Sequence, residues 1–135
     1  MTPAAWHKHM RKACRVLRSV QNRAASDEPE TVISSCYYAM HHAACAVLLS
    51  KGQPLPKTHA SLISRFGLTV RDLGPESREA GTLPDRAFHR RTKGDYDVDV
   101  AFTRNDVLAA RDEAIKFVDH CRTLLPKQRR KKLLS

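Results

Sequence analysis

The 135-residue sequence is poor in glycine, with five, and in aromatic residues, with one tryptophan, three tyrosines and four phenylalanines. So few glycines exclude a collagen-like chain, and an apolar share of 41% excludes a wholly disordered one. The longest apolar run, Ala43 to Leu49, is far short of the roughly 20 residues a bilayer span needs, so no transmembrane helix is expected. Met1 to Trp6 leads straight into basic residues without the apolar core of a secretory signal, and the expected location is the cytoplasm. Cys14, Cys36, Cys45 and Cys121 never form a CxxC pair and each lies among apolar residues, which points to packed, reduced thiols. His41 and Cys45 are one helical turn apart, but two ligands do not make a tetrahedral zinc site. Asp95, Asp97 and Asp99 alternate as in a calcium loop yet lack its glycine and closing glutamate. The sequence also lacks GxxxxGK[ST], GxGxxG, HExxH and GxSxG, which sets aside nucleotide hydrolysis and dehydrogenase chemistry. No cofactor and no metal are expected.

Charge is what the chain has in excess, and it sits at the ends. The net charge is +10. Residues 1–23 carry Lys8, Arg11, Lys12, Arg15, Arg18 and Arg23 with no acid, and the end of the chain adds Lys127, Arg129, Arg130, Lys131 and Lys132. Residues 24–126 are close to neutral. Cationic segments of this kind attract polyanions by releasing counterions, a force that is blind to base sequence and weakens steeply with salt. RNA is the expected partner, with Lys8, Arg11, Lys12, Arg15, Arg18, Arg90 and Lys93 as the residues that gather it. The same terminal run also reads as a solubilising tail.

Hydrophobic periodicity predicts helices. Trp6, Met10, Ala13, Leu17, Val20 and Ala24 trace one stripe, with the cations opposite. A second helix, capped by Asp27 and running to about Lys51, is apolar around most of its circumference and is read as the central one; Ser34, Tyr38, His41 and His42 form its only polar strip. Thr58 is the expected cap of a third helix fading near Leu73, and Thr103 or Asn105 starts the last, which keeps three-four spacing from Val107 to Leu125. Gly74 to Thr103 reads as the least regular part, with one or two helical turns around Arg86 to Arg91. The expected fold is all-α: an up-and-down bundle of four main helices with a short irregular or helical segment before the last, in a single domain of residues 1–126 followed by a basic tail, 127–135.

Three separate motifs then add up. Tyr37-Tyr38-Ala39-Met40-His41-His42, Lys57-Thr58-His59 with Phe66 seven positions on, and Arg91-x-x-Gly94-Asp95-Tyr96-Asp97 stand in the order and spacing of the HEPN domain family, which the chain resembles over about residues 5 to 125. That resemblance implies a helical bundle that forms a homodimer, is often encoded beside a minimal nucleotidyltransferase, and in many members is a metal-independent ribonuclease of a toxin–antitoxin or defence system. The family's catalytic motif is an arginine, four to six residues, then a histidine. Arg91 matches the arginine, and Tyr96 stands where the histidine would be. A tyrosine of ordinary pKa near 10 is ionised in about one molecule in a thousand at pH 7 and is a poor base. His41, His42, His59 or His89 could replace it, with His59 the first choice. The expected catalytic set is therefore Arg91, Asp95, Tyr96 and His59, with Tyr38, His41 and His42 at a dimer or partner interface. The alternative is a non-catalytic module that binds a nucleotidyltransferase or nucleic acid.

Overall fold

A computed structural model describes residues 3–21 and 28–126. Among these, six helices follow one another and no strand occurs: α1 (Pro3–Gln21), α2 (Pro29–Ser50), α3 (His59–Val70), α4 (Pro75–Ala80), α5 (Leu83–Tyr96) and α6 (Arg104–Thr123). The expected all-α bundle is what forms. Asp27, Ala24 and the basic run 127–132 lie outside the described residues.

α2 is the axle. Thirteen of its 22 residues are buried, and α1, α3, α5 and α6 all pack against it. A helix apolar on every side has to be covered on every side. By length and composition α2 could cross a membrane, a test that the short run Ala43 to Leu49 did not anticipate; here 72% of its most apolar window is buried within the bundle, as in a core helix. The α1 stripe is seated as expected, with Trp6, Met10, Ala13, Leu17 and Val20 all buried. The cations on the other face of α1, Lys8, Arg11, Lys12, Arg15 and Arg18, are exposed.

The helix starts follow their local chemistry. Thr58 accepts a hydrogen bond from the Ser61 amide at the head of α3, 3.0 Å away. Thr103 and Asp106 exchange side-chain and backbone bonds in a full capping box at the head of α6. α2 differs: Glu28 precedes Pro29 with a left-handed φ of 38° and gives no side-chain cap. Gly74 takes φ 117° just before Pro75, a conformation that a side chain would strain. At the far side of the bundle, Phe66 of α3 and Phe117 of α6 meet at 5.2 Å between ring centroids, and Ser77 of α4 shares a 2.8 Å hydrogen bond with His120 of α6.

The largest departure from the sequence reading lies between residues 74 and 103. The segment read as mostly irregular is two helices, and α5 alone runs 14 residues. Pro84 sits in the first turn of α5, where a missing N–H costs nothing. Gly94 lies in its last turn, where a Cβ would stand 2.6 Å from Cε2 and 3.1 Å from Cζ of Phe102. The glycine lets the 97–103 connection fold back with its ring against the helix. Gly94→Ala is expected to cost about 1–3 kcal/mol through overpacking, partly offset by up to about 1 kcal/mol of regained helix propensity. A urea midpoint that does not fall would show that Phe102 swings clear.

A histidine-lined cavity beside Arg91

The stripe that makes α2 the core helix also places Tyr37 and His41 one turn apart, with Tyr38 and His42 on the adjoining flank. Thr58, by starting α3, sets His59 at the first helical position, where it meets α2. The Tyr37 hydroxyl hydrogen-bonds Nδ1 of His59. α5 contributes Phe88, whose ring lies 5.5 Å from both Tyr37 and His59, and one turn later Arg91. The Arg91 guanidinium stacks over both tyrosines, 5.6 Å from the Tyr37 centroid and 5.0 Å from that of Tyr38. Asp95 lies one turn further along, with a carboxylate oxygen 3.4 Å from Arg91 Nε; this is an ion pair without hydrogen-bond geometry, and Nε is buried.

Three of the four residues in the expected catalytic set thus come together, Arg91 and Asp95 directly and His59 through Tyr37. Tyr96 does not join them. Its side chain is 83% exposed and lines a separate shallow groove with His89, Lys93, Asp97 and Val98. The nucleic-acid set divides in the same way: Lys93 is exposed, whereas Arg90 is held by Glu113 at 3.0 Å and its charge is largely answered there. His89 is tied to Asp85 within its own helix, at 3.4 Å.

On the other side of His59 the imidazoles continue. His59 and His41 have centroids 5.1 Å apart, as do His41 and His42, and His42 stacks on His9 of α1 at 5.3 Å with a 3.1 Å bond between their Nδ1 atoms. The four rings edge a cavity of about 400 Å³ that Tyr38, Cys45, Lys57 and Thr58 also line. His41 and His42, expected at an interface, are half-buried walls of this cavity. Sequence reasoning missed His9 and Tyr37. His9 sits at the border of the α1 stripe, three residues after Trp6 and four before Ala13, and that border position was the available signal.

The electrostatics follow from burial and from neighbours of one sign. Burial, followed by the charges of neighbouring histidines and Arg91, pushes His41 down to about 4. Burial, then His9, Lys12 and Arg15, does the same to His42, also to about 4. His9 is lowered by burial and Lys12. These three rings are therefore neutral at pH 7. Burial raises the Tyr37 hydroxyl, so it keeps its proton, and it pushes the Cys45 thiol up to about 12, leaving an unreactive Sγ 3.7 Å from His41 Nε2. A protonated hydroxyl beside His59 can donate to Nδ1 or accept from it. It can stay bonded to the ring whether the ring is neutral or charged.

The site is thus a polar cavity in a helical bundle, walled by four imidazoles, flanked by a guanidinium over two tyrosines and edged by lysine. The chain belongs to the HEPN family, whose domain model matches residues 6–124. It is 33% identical over 93 residues to a Methanocaldococcus jannaschii protein named "Putative toxin MJ0605", covering 69% of this chain and 68% of that one. It is also 26% identical over 115 residues to a UPF0332 protein of Thermotoga maritima, 85% of this chain and 86% of the relative, and 28% identical over 120 residues to one of Archaeoglobus fulgidus, 89% and 94%.

Proposed function

We propose that this chain is a toxin-type HEPN ribonuclease that cleaves RNA without a metal ion, and that His59 and Arg91 carry the chemistry. The observation that supports it is the double role of Tyr37, which hydrogen-bonds His59 and lies under the guanidinium of Arg91. A base and a permanent cation are thereby held on one rigid ring. Nε2 of His59 takes the proton of the RNA 2′-hydroxyl as the 2′-oxygen forms its bond to phosphorus, while Nδ1, which carries the ring's other proton, donates to the Tyr37 oxygen throughout. Arg91 faces the charge that builds on the phosphorane oxygens. The bond from phosphorus to the 5′-oxygen breaks, that oxygen collects a proton from water, and a 2′,3′-cyclic phosphate and a 5′-hydroxyl remain. The basic face of α1 gathers the strand, the active form is a homodimer in the cytoplasm, and a minimal nucleotidyltransferase is its antitoxin. The name of the archaeal relative favours the toxin reading.

The test is cleavage of single-stranded RNA in EDTA. Wild type is expected to cut, His59→Ala to be slower by about 10²–10⁴-fold, and Tyr96→Phe to match wild type. Absence of cutting by wild type, or an undiminished rate in His59→Ala, overturns the assignment. A second reading is favoured by the groove around Tyr96, where Val98 is 97% exposed: a non-catalytic module docking a nucleotidyltransferase or nucleic acid there. Co-purification that Val98→Asp abolishes, without RNA degradation, would select it.

A further inference from the structure

The histidine cavity has an imbalance that a single base does not require. Lining it are His9 from α1, Tyr38, His41, His42 and Cys45 from α2, and Lys57 and His59 from the loop and head of α3, while the charges of Lys12 and Arg15 on α1 act on His42 and that of Arg91 on α5 acts on His41. Among the described residues no aspartate or glutamate lines it, and Asp95, the nearest carboxylate named at the site, is engaged by Arg91. His41 leaves Nδ1 buried with no hydrogen-bond partner. Four imidazoles in successive ring contact, with Lys57 at the edge and further cations close by, offer the donors and the sign of charge that suit an anion.

We propose that the cavity between His9, His42, His41 and His59 is a receptacle for one phosphodiester group and that it takes up a proton as the group binds. Burial and like charges oppose protonation of His9, His41 and His42; phosphate oxygens supply the opposite charge and turn one of these imidazoles into a donor. His42 and His9 are best placed for this, since they share a hydrogen bond and since Lys12 and Arg15, which oppose their protonation, attract the anion that offsets that repulsion. Adjacent imidazolium ions repel, so the uptake is close to one proton for the cluster. The proposal rests on the ribonuclease reading only in taking the phosphodiester from RNA. It also supplies what that reaction lacks at neutral pH, a charged imidazole to protonate the leaving 5′-oxygen.

Sulfate, which keeps its charge over the range used, and a 2′-deoxy dinucleoside phosphate, which has no 2′-hydroxyl to attack, are the probes. At constant ionic strength, the affinity of wild type for sulfate is expected to rise up to about tenfold for each pH unit between 7 and 5, the slope of one linked proton. His9→Gln and His42→Gln are each expected to flatten that slope, and Lys116→Gln, on the exposed face of α6, to leave it unchanged. In wild type, imidazole NMR titrations should show the His9 and His42 midpoints moving up when sulfate is added, a readout that does not depend on a variant folding. Binding that does not change with pH, slopes unaltered in both histidine variants, or unmoved midpoints overturn the proposal. Because neither probe can be cleaved, pH-linked binding without RNA cleavage would overturn the ribonuclease alone, and RNA cleavage with pH-flat binding would overturn the receptacle alone.

Discussion

Arg91→Ala is expected to slow RNA cleavage by about 10²–10³-fold, and Arg91→Lys by nearly as much. Removing a charge that meets the transition state costs an amount of this order in sites that exclude water. The lysine variant separates charge from shape. The guanidinium lies over two tyrosine rings, 5.6 and 5.0 Å from their centroids, while reaching Asp95 at 3.4 Å, and a flexible ammonium cannot make all three contacts. Loss of the stacking is expected to reduce stability by about 0.5–2 kcal/mol, small enough to leave the bundle folded. Single-turnover rates in EDTA, read beside circular dichroism and urea midpoints, distinguish the two effects. Unchanged rates would make Arg91 a clamp that holds Tyr37 and Tyr38, and the nuclease assignment would fall with it.

The largest loss of stability is expected from Phe117→Ala, about 3–5 kcal/mol. Phe117 and its partner Phe66 are both fully buried, and their rings join α6 to α3. Truncating one leaves a cavity among closely packed neighbours and removes an aromatic pair worth about 0.5–1.5 kcal/mol beyond the buried area. Against a total stability of about 5–15 kcal/mol for a domain, the variant would lose a large share of its folded margin. Thermal and urea unfolding measure it. Phe66→Ala and the double variant complete a cycle, in which the sum of the single effects should exceed the double effect because the two residues share one void. Additive effects would mean that the rings act independently.

What the sequence disclosed, and what it concealed, follows from the range of the interactions. Thr58 and Thr103 were legible as caps because a cap is decided within four residues, and the stripe from Trp6 to Val20 was legible because one helix face repeats along the chain. α5 was under-read: Pro84 and Gly94 look like breakers in a string of letters, but one occupies a first turn and the other meets Phe102 in a last turn. Arg91, His59 and Asp95 were found by motif and lie in one cluster of contacts around Tyr37 and Arg91. Tyr37, however, counted as one more core residue on the α2 stripe, since periodicity says which side chains are buried and nothing about where a hydroxyl points. The His9–His42 bond spans 33 positions, and only the docking of α1 on α2 creates it. Tyr96 was placed by spacing beside an arginine that the helix turns away from it.

The burial of α2 on all sides has a consequence for biosynthesis. Helix α6, which covers one flank, is made only after α3, α4 and α5, and at about 5–20 residues per second a ribosome needs on the order of several seconds to reach its end. Until then the nascent chain carries an apolar helix long enough to enter a bilayer, with the flank that α6 covers still open. Newly made protein should therefore depend on trigger factor-like holdases, and truncations that omit α6 should aggregate during translation rather than accumulate as a smaller bundle.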